Sequence, residues 1–115
     1  MTPPADSPGF RVESALGIAA PLADLWDAWQ RPGIRHLWLH APGVSLRRAV
    51  PRKSLRLIWN DGSSVSVTLA GQAGGRCLVT VEHSRIESAA RAAALRQFWP
   101  TALERLRKRL EKRRG

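Results

Sequence analysis

A chain of 115 residues and 12.7 kDa is the size of one domain around one core, which excludes a two-domain enzyme, and an apolar share of 43% is too high for a disordered chain. Nineteen Lys and Arg against nine Asp and Glu give a formal net charge of +10, which favours anionic partners or surfaces and says nothing about fold. The lone Cys77 excludes an internal disulfide and a thiolate-rich zinc site, and the absence of a long apolar run or of a basic, apolar leader excludes a membrane span and a secretory signal, so a cytoplasmic setting is expected.

Residues 1–9 carry three of the eight prolines and read as a disordered leader before a single domain over 10–112, with 113–115 as a basic end. From Phe10 to Ile18 the even positions Phe10, Val12, Leu16 and Ile18 are apolar while Arg11 and Glu13 are charged, the period of two of a half-buried strand. Pro21 suits the first turn of a helix, and Leu22, Leu25, Trp26 and Trp29 follow at helical spacing. Pro32-Gly33 interrupts that helix, and Ile34, Leu37 and Trp38 predict a second short one.

From Val44 to His83, strand-like runs alternate with short turn signals, which predicts an antiparallel meander of four strands. Leu55, Leu57 and Trp59 share one phase; Asn60-Asp61-Gly62 suits a tight hairpin; Val65, Val67 and Leu69 then alternate with Ser64, Ser66 and Thr68. Gly71 to Gly75 reads as a looser connection to Cys77, Val79 and Val81. Glu87 or Ser88 opens a last helix with Leu95, Phe98, Ala102, Leu106 and Leu110 at helical spacing, and Pro100 inside it predicts a kink or break.

This order of elements, together with short motifs, resembles the START-like (SRPBCC, Bet v 1-like, helix-grip) superfamily, and within it the branch named for the activator of heat-shock-protein-90 ATPase. The carrying residues are Ile18-Ala19-Ala20-Pro21 with Leu25-Trp26-Asp27-Ala28, His36-Leu37-Trp38-Leu39, Leu55 to Trp59 with Asp61-Gly62-Ser63, and Val79 to Ser84 leading to Phe98-Trp99. The resemblance implies an α+β fold in which an antiparallel sheet of about five strands grips a long C-terminal helix, with two short helices after the first strand. It also implies an apolar space between sheet and helix, binding of a small hydrophobic ligand or of a protein partner such as a chaperone, a link to stress response, and no shared catalytic motif or cofactor.

On that basis Trp38, Leu57, Trp59, Val67, Val81, Leu95 and Trp99 are the candidate cavity residues. Trp38, the tryptophan least constrained by periodicity, is the first candidate for a rim or pocket residue. The short meander predicts a small or filled cavity. His36, His40 and His83 have no spacing that completes a metal site, and His83 shares the inward parity of Val79 and Val81, which predicts a structural role in bonding backbone near the helix start. Cys77 reads as a buried thiol rather than a nucleophile.

The alternative class of function rests on the C-terminal segment. Between Thr101 and Gly115 seven cations face two acids, half the net charge of the chain. Arg105, Arg107, Lys108, Arg109 and Lys112 are therefore candidates for phosphate contact with nucleic acid or for an anionic surface, on a helix end expected to protrude beyond about Leu103. No nucleophile with a base and no paired carboxylates are visible, which argues against an enzyme.

Overall fold

The computed structural model describes residues 9–41 and 43–114, the last two by backbone alone. The leader expected over 1–9 therefore lies, but for Gly9, outside the described residues. The elements in order are β1 (Phe10–Ile18), α1 (Leu22–Gln30), α2 (Pro32–Trp38), β2 (Ser45–Val50), β3 (Ser54–Ile58), β4 (Ser64–Gln72), β5 (Arg76–Ile86) and α3 (Ala89–Arg114). The strands make one antiparallel sheet in the order β1-β5-β4-β3-β2, so β1 pairs with the strand that contains His83, as the sequence predicts.

Alternation sets the two faces of the sheet. Leu55 lies opposite Val67, Leu57 opposite Val65, Val67 opposite Val81 and Leu69 opposite Val79, and all of these side chains are buried. The intervening residues, Arg56, Ser66, Glu82 and Glu13, form a polar row across the outer face. Phe10 has the apolar parity yet stays exposed, at the first residue of the strand and beyond a register shift that separates it from Val12. The β4–β5 connection is tighter than its glycines suggest: pairing continues to Gln72 opposite Arg76, and only three residues turn the chain.

Pro21 stands just before α1, in extended conformation, where its ring pre-sets the backbone and its missing N–H costs nothing. Pro32 opens α2 in the same way. Ser88, one of the two expected caps, opens α3 by accepting a bond from the Arg91 N–H at 3.1 Å.

Two points about α3 differ from expectation: of the kink or break predicted at Pro100 the break is absent, and the helix end is held by the core. The helix does not break at Pro100 but runs continuously from Ala89 to Arg114. Both Pro100 and Arg96, whose carbonyl loses its helix partner, are exposed, so the missing bond falls on the outer face of the helix and not in the core. Nor does the grip end near Leu103 and leave Arg107 to Arg114 protruding: Leu106 is 0% exposed, and Leu110, within that segment, is 3% exposed. The Ala19 N–H at the end of β1 donates to Glu111 Oε2 at 2.9 Å, which ties the helix end to the sheet.

Replacing Leu110 by Ala is therefore expected to destabilise the domain by about 2–4 kcal/mol, whereas Lys112→Ala, two residues on and exposed, stays within about 0.5 kcal/mol. The urea midpoints of the two variants against the parent chain check this.

Candidate functional site

Four buried tryptophans fill the space between sheet and helices. Trp29 meets Trp38 edge-on at 4.6 Å between ring centroids and stacks on Trp99 at 6.3 Å, and Trp99 lies 5.6 Å from Trp59. Trp38 is 1% exposed, and its indole N–H donates to the Ala28 carbonyl near the end of α1 at 3.0 Å. It is a core residue that locks α2 onto α1, so of the two places expected for it, rim or pocket, the rim is excluded. Trp26, half-buried, is the outermost of the five. The other cavity candidates, Leu57, Trp59, Val67, Val81, Leu95 and Trp99, join the same buried cluster.

A polar chain runs through that apolar centre. The Trp99 indole N–H, which can only donate, points at His83 Nδ1 at 3.1 Å. Nδ1 must therefore be the acceptor, and in the neutral ring the proton sits on Nε2, which lies 2.8 Å from Ser63 Oγ. Ser63 in turn donates its hydroxyl proton to Asp61 Oδ1 at 2.6 Å, and Asp61 also accepts the Ser63 backbone N–H at 2.9 Å. Arg91 on α3 reaches the other oxygen of Asp61 at 3.4 Å.

Serine, histidine and aspartate thus meet, but with the proton direction opposite to that of a nucleophilic triad. His83 Nε2 gives a proton to Ser63 instead of taking one, and the serine is 1% exposed. The inward structural role expected for His83 holds, with partners that differ from the expected backbone groups. Burial drives its pKa from 6.5 down to about 4; the Asp61 carboxylate works against this and the Arg91 cation with it. Burial also opposes ionisation of Asp61, yet the bonds from Ser63 and the Arg91 cation outweigh it and hold the carboxyl below its ordinary value. Cys77 is buried beside the Ala20 carbonyl, and burial raises its pKa, the reverse of what a nucleophile requires.

The C-terminal cations are less available than their number suggests. Arg105 donates to the Trp38 carbonyl at 3.1 Å and so closes the end of α2, while Arg107 pairs with Glu104 and Glu111 on its own helix. Arg109 Nε is buried without a partner among the described residues, and Lys108 and Lys112 are exposed. A surface depression of about 390 Å³ beside Pro100 includes Arg105 and Lys108. A cleft of about 220 Å³ is lined by Pro32, His36 and Arg35, a residue that sequence reasoning passed over. Arg35 is 8% exposed and donates to the Trp29 carbonyl at 2.8 Å, which satisfies an orphan acceptor at the end of α1; helical spacing alone gives no sign of that bond.

No protein-family model and no curated protein matches the sequence. Solved structures do. The Aha1 dimer from Colwellia psychrerythraea aligns with a TM-score of 0.74 at 16% identity over 92% of this chain and 99% of that one. The AHSA1-like protein from Rhizobium etli aligns at 0.68 and 25% identity over 87% of this chain and 81% of that one. DynU16, a protein in the dynemicin biosynthetic locus, aligns at 0.74 and 22% identity over 88% of this chain, which spans only 47% of that protein's length. The fold is the one these structures share, as the resemblance implied. No helix among the described residues is long and apolar enough to cross a membrane.

Because the native chain keeps His83 neutral down to about pH 4 while an unfolded histidine takes up its proton near 6.5, stability is expected to fall as pH drops through that window. The full loss is about 3 kcal/mol, complete near pH 4, with Asp61 contributing only below its ordinary value of 3.8. Urea unfolding from pH 7 to 4 reads the slope, and His83→Gln flattens it. Imidazole ¹⁵N shifts in the unaltered protein independently report a bare Nδ1 and a protonated Nε2.

Proposed function

We propose that this chain is a non-enzymatic helix-grip module that acts through its surface by binding a protein partner, rather than by enclosing a small apolar ligand. The observation that carries the reading is the mutually packed set Trp29, Trp38, Trp59 and Trp99, which occupies the grip that a ligand would need. The direction of the Ser63–His83 bond supports the absence of acyl-transfer chemistry. A chaperone is the first partner to assay, since the structural likeness includes an Aha1 protein and an AHSA1-like protein. Nucleic-acid association through the C-terminal cations has less support, because Arg105 and Arg107 are engaged within the fold.

Titration with a fluorescent fatty acid tests the reading. The unaltered protein is expected to give no saturable signal up to about 10 μM probe, a concentration that a functional apolar pocket would saturate. Trp38→Ala, at a cost of about 3–5 kcal/mol in stability, opens a void beside Trp29 and gains probe binding. Saturable binding by the unaltered protein overturns the proposal.

A further inference from the structure

The net charge of +10 has two sources of equal size, the C-terminal segment and the run from Val44 to Trp59, and the rest of the sequence is neutral in sum. In the second run Arg47, Arg48, Arg52, Lys53 and Arg56 have no acidic residue among them. All five are exposed, and none forms an ion pair with the described residues. They sit on β2, on the turn after it and on β3, at the edge of the sheet that carries β2.

One contrast within the sheet gives this meaning. Arg48 lies directly opposite Arg56 across β2 and β3, and Glu13 lies directly opposite Glu82 across β1 and β5, two like-charged pairs in one outer row. Like charges in this position repel and destabilise a sheet. The acidic pair is bridged inside the protein: Arg11 reaches Glu82 at 2.7 Å and Glu13 at 3.7 Å. The basic pair has no counter-ion among the described residues. A bulge between Leu46 and Arg48, with Leu46 opposite Leu57 and Arg48 opposite Arg56, sets two consecutive arginines of β2, Arg47 and Arg48, against the single Arg56.

The edge itself is open. Every residue of β2 except Leu46 is exposed, whereas α3 runs beside β1 at the other edge. Charged side chains do protect edge strands from self-association, but one or two suffice for that. A second copy of this chain is a poor occupant, since pairing β2 with β2 would add Arg47 and Arg48 to their own images. A nucleic acid would find phosphate contacts but no stacking platform: no aromatic side chain lies on β2, β3 or β4.

We infer that the β2 edge and the β2–β3 turn are the docking surface for an extended acidic polypeptide segment, whose carboxylates are clasped by Arg48 and Arg56 and whose backbone lies along the free edge. Guanidinium pairs take carboxylates in two-pronged bonds, and a free strand edge supplies the main-chain donors and acceptors that an extended peptide needs. The inference rests on the reading of the chain as a partner-binding module and gives that partner its charge.

The test is a fluorescein-labelled decapeptide of alternating Glu and Thr, titrated by anisotropy at low salt against the full chain. Binding is expected to weaken roughly tenfold in Arg48→Gln/Arg56→Gln, and by less than about twofold in Lys108→Gln/Lys112→Gln, which removes the same charge from the exposed helix end. Thermal midpoints check folding, and the arginine variant should melt no lower than the parent because repulsion is relieved. Equal weakening in both variants, tighter binding of a duplex DNA of matched charge, or no peptide binding each overturns the inference. If the peptide fails while the fatty-acid probe also finds no site, this surface is wrong and partner binding stands. If the probe binds the interior, it is the partner-binding reading that falls.

Discussion

The bond from the Trp99 indole to His83 joins the last helix to the sheet at the point where neither could be moved without stranding a polar group. Both side chains are 0% exposed, so an unpaired indole N–H or imidazole nitrogen there would carry a desolvation penalty of about 1–3 kcal/mol. That penalty fixes the rotation of α3 about its own axis: turning it by one residue would swing Trp99 some 100° away from β5. It also fixes the ring of His83, and through Nε2 the hydroxyl of Ser63 and the turn held by Asp61. Apolar packing between Leu, Val and Trp surfaces tolerates slippage, whereas a directional chain of hydrogen bonds does not.

The same joint explains how Pro100 is tolerated. With Trp99 anchored in the core, Pro100 lies about 100° further round the helix, on the face where it and Arg96 are exposed. The lost helix bond then falls on the exposed face of the helix instead of against the core. Trp99 before the proline and Ala102, Leu103 and Leu106 after it bury the helix on both sides, so tertiary contact carries a segment whose local preference is to stop.

The sequence made legible what repeats. A period of two over Phe10 to Ile18 and from Leu55 to Val81 gave the strands, their inward residues and their antiparallel order, and two prolines marked the openings of α1 and α2. What it concealed is contact between residues distant along the chain. Ser63 and His83 are twenty residues apart and Glu111 reaches back to Ala19; no spacing rule encodes either bond. Trp38 was misplaced because a helix of seven residues has too few turns to define a buried stripe. The C-terminal helix was misplaced for a different reason. Leu106 and Leu110 lie in phase with Leu95, but the abundance of cations around them outweighed the pattern, although long basic side chains pack their stems over apolar neighbours while the charge stays wet.

Charge placement therefore carries information that charge content does not. The C-terminal cations are numerous because a helix end tolerates them, and Arg105 and Arg107 are then used internally, on the Trp38 carbonyl and on Glu104 and Glu111. The cations of β2 and β3 have no such local reason: strands carry no comparable dipole, and the register sets two guanidinium groups face to face. A fold that neutralises one repulsive pair with Arg11 has the means to neutralise another. Leaving Arg48 and Arg56 without an acid among the described residues, beside a largely exposed edge strand, keeps a stability cost in the free protein that an external carboxylate would remove, so the binding energy for an acidic partner is partly stored in the sheet before that partner arrives.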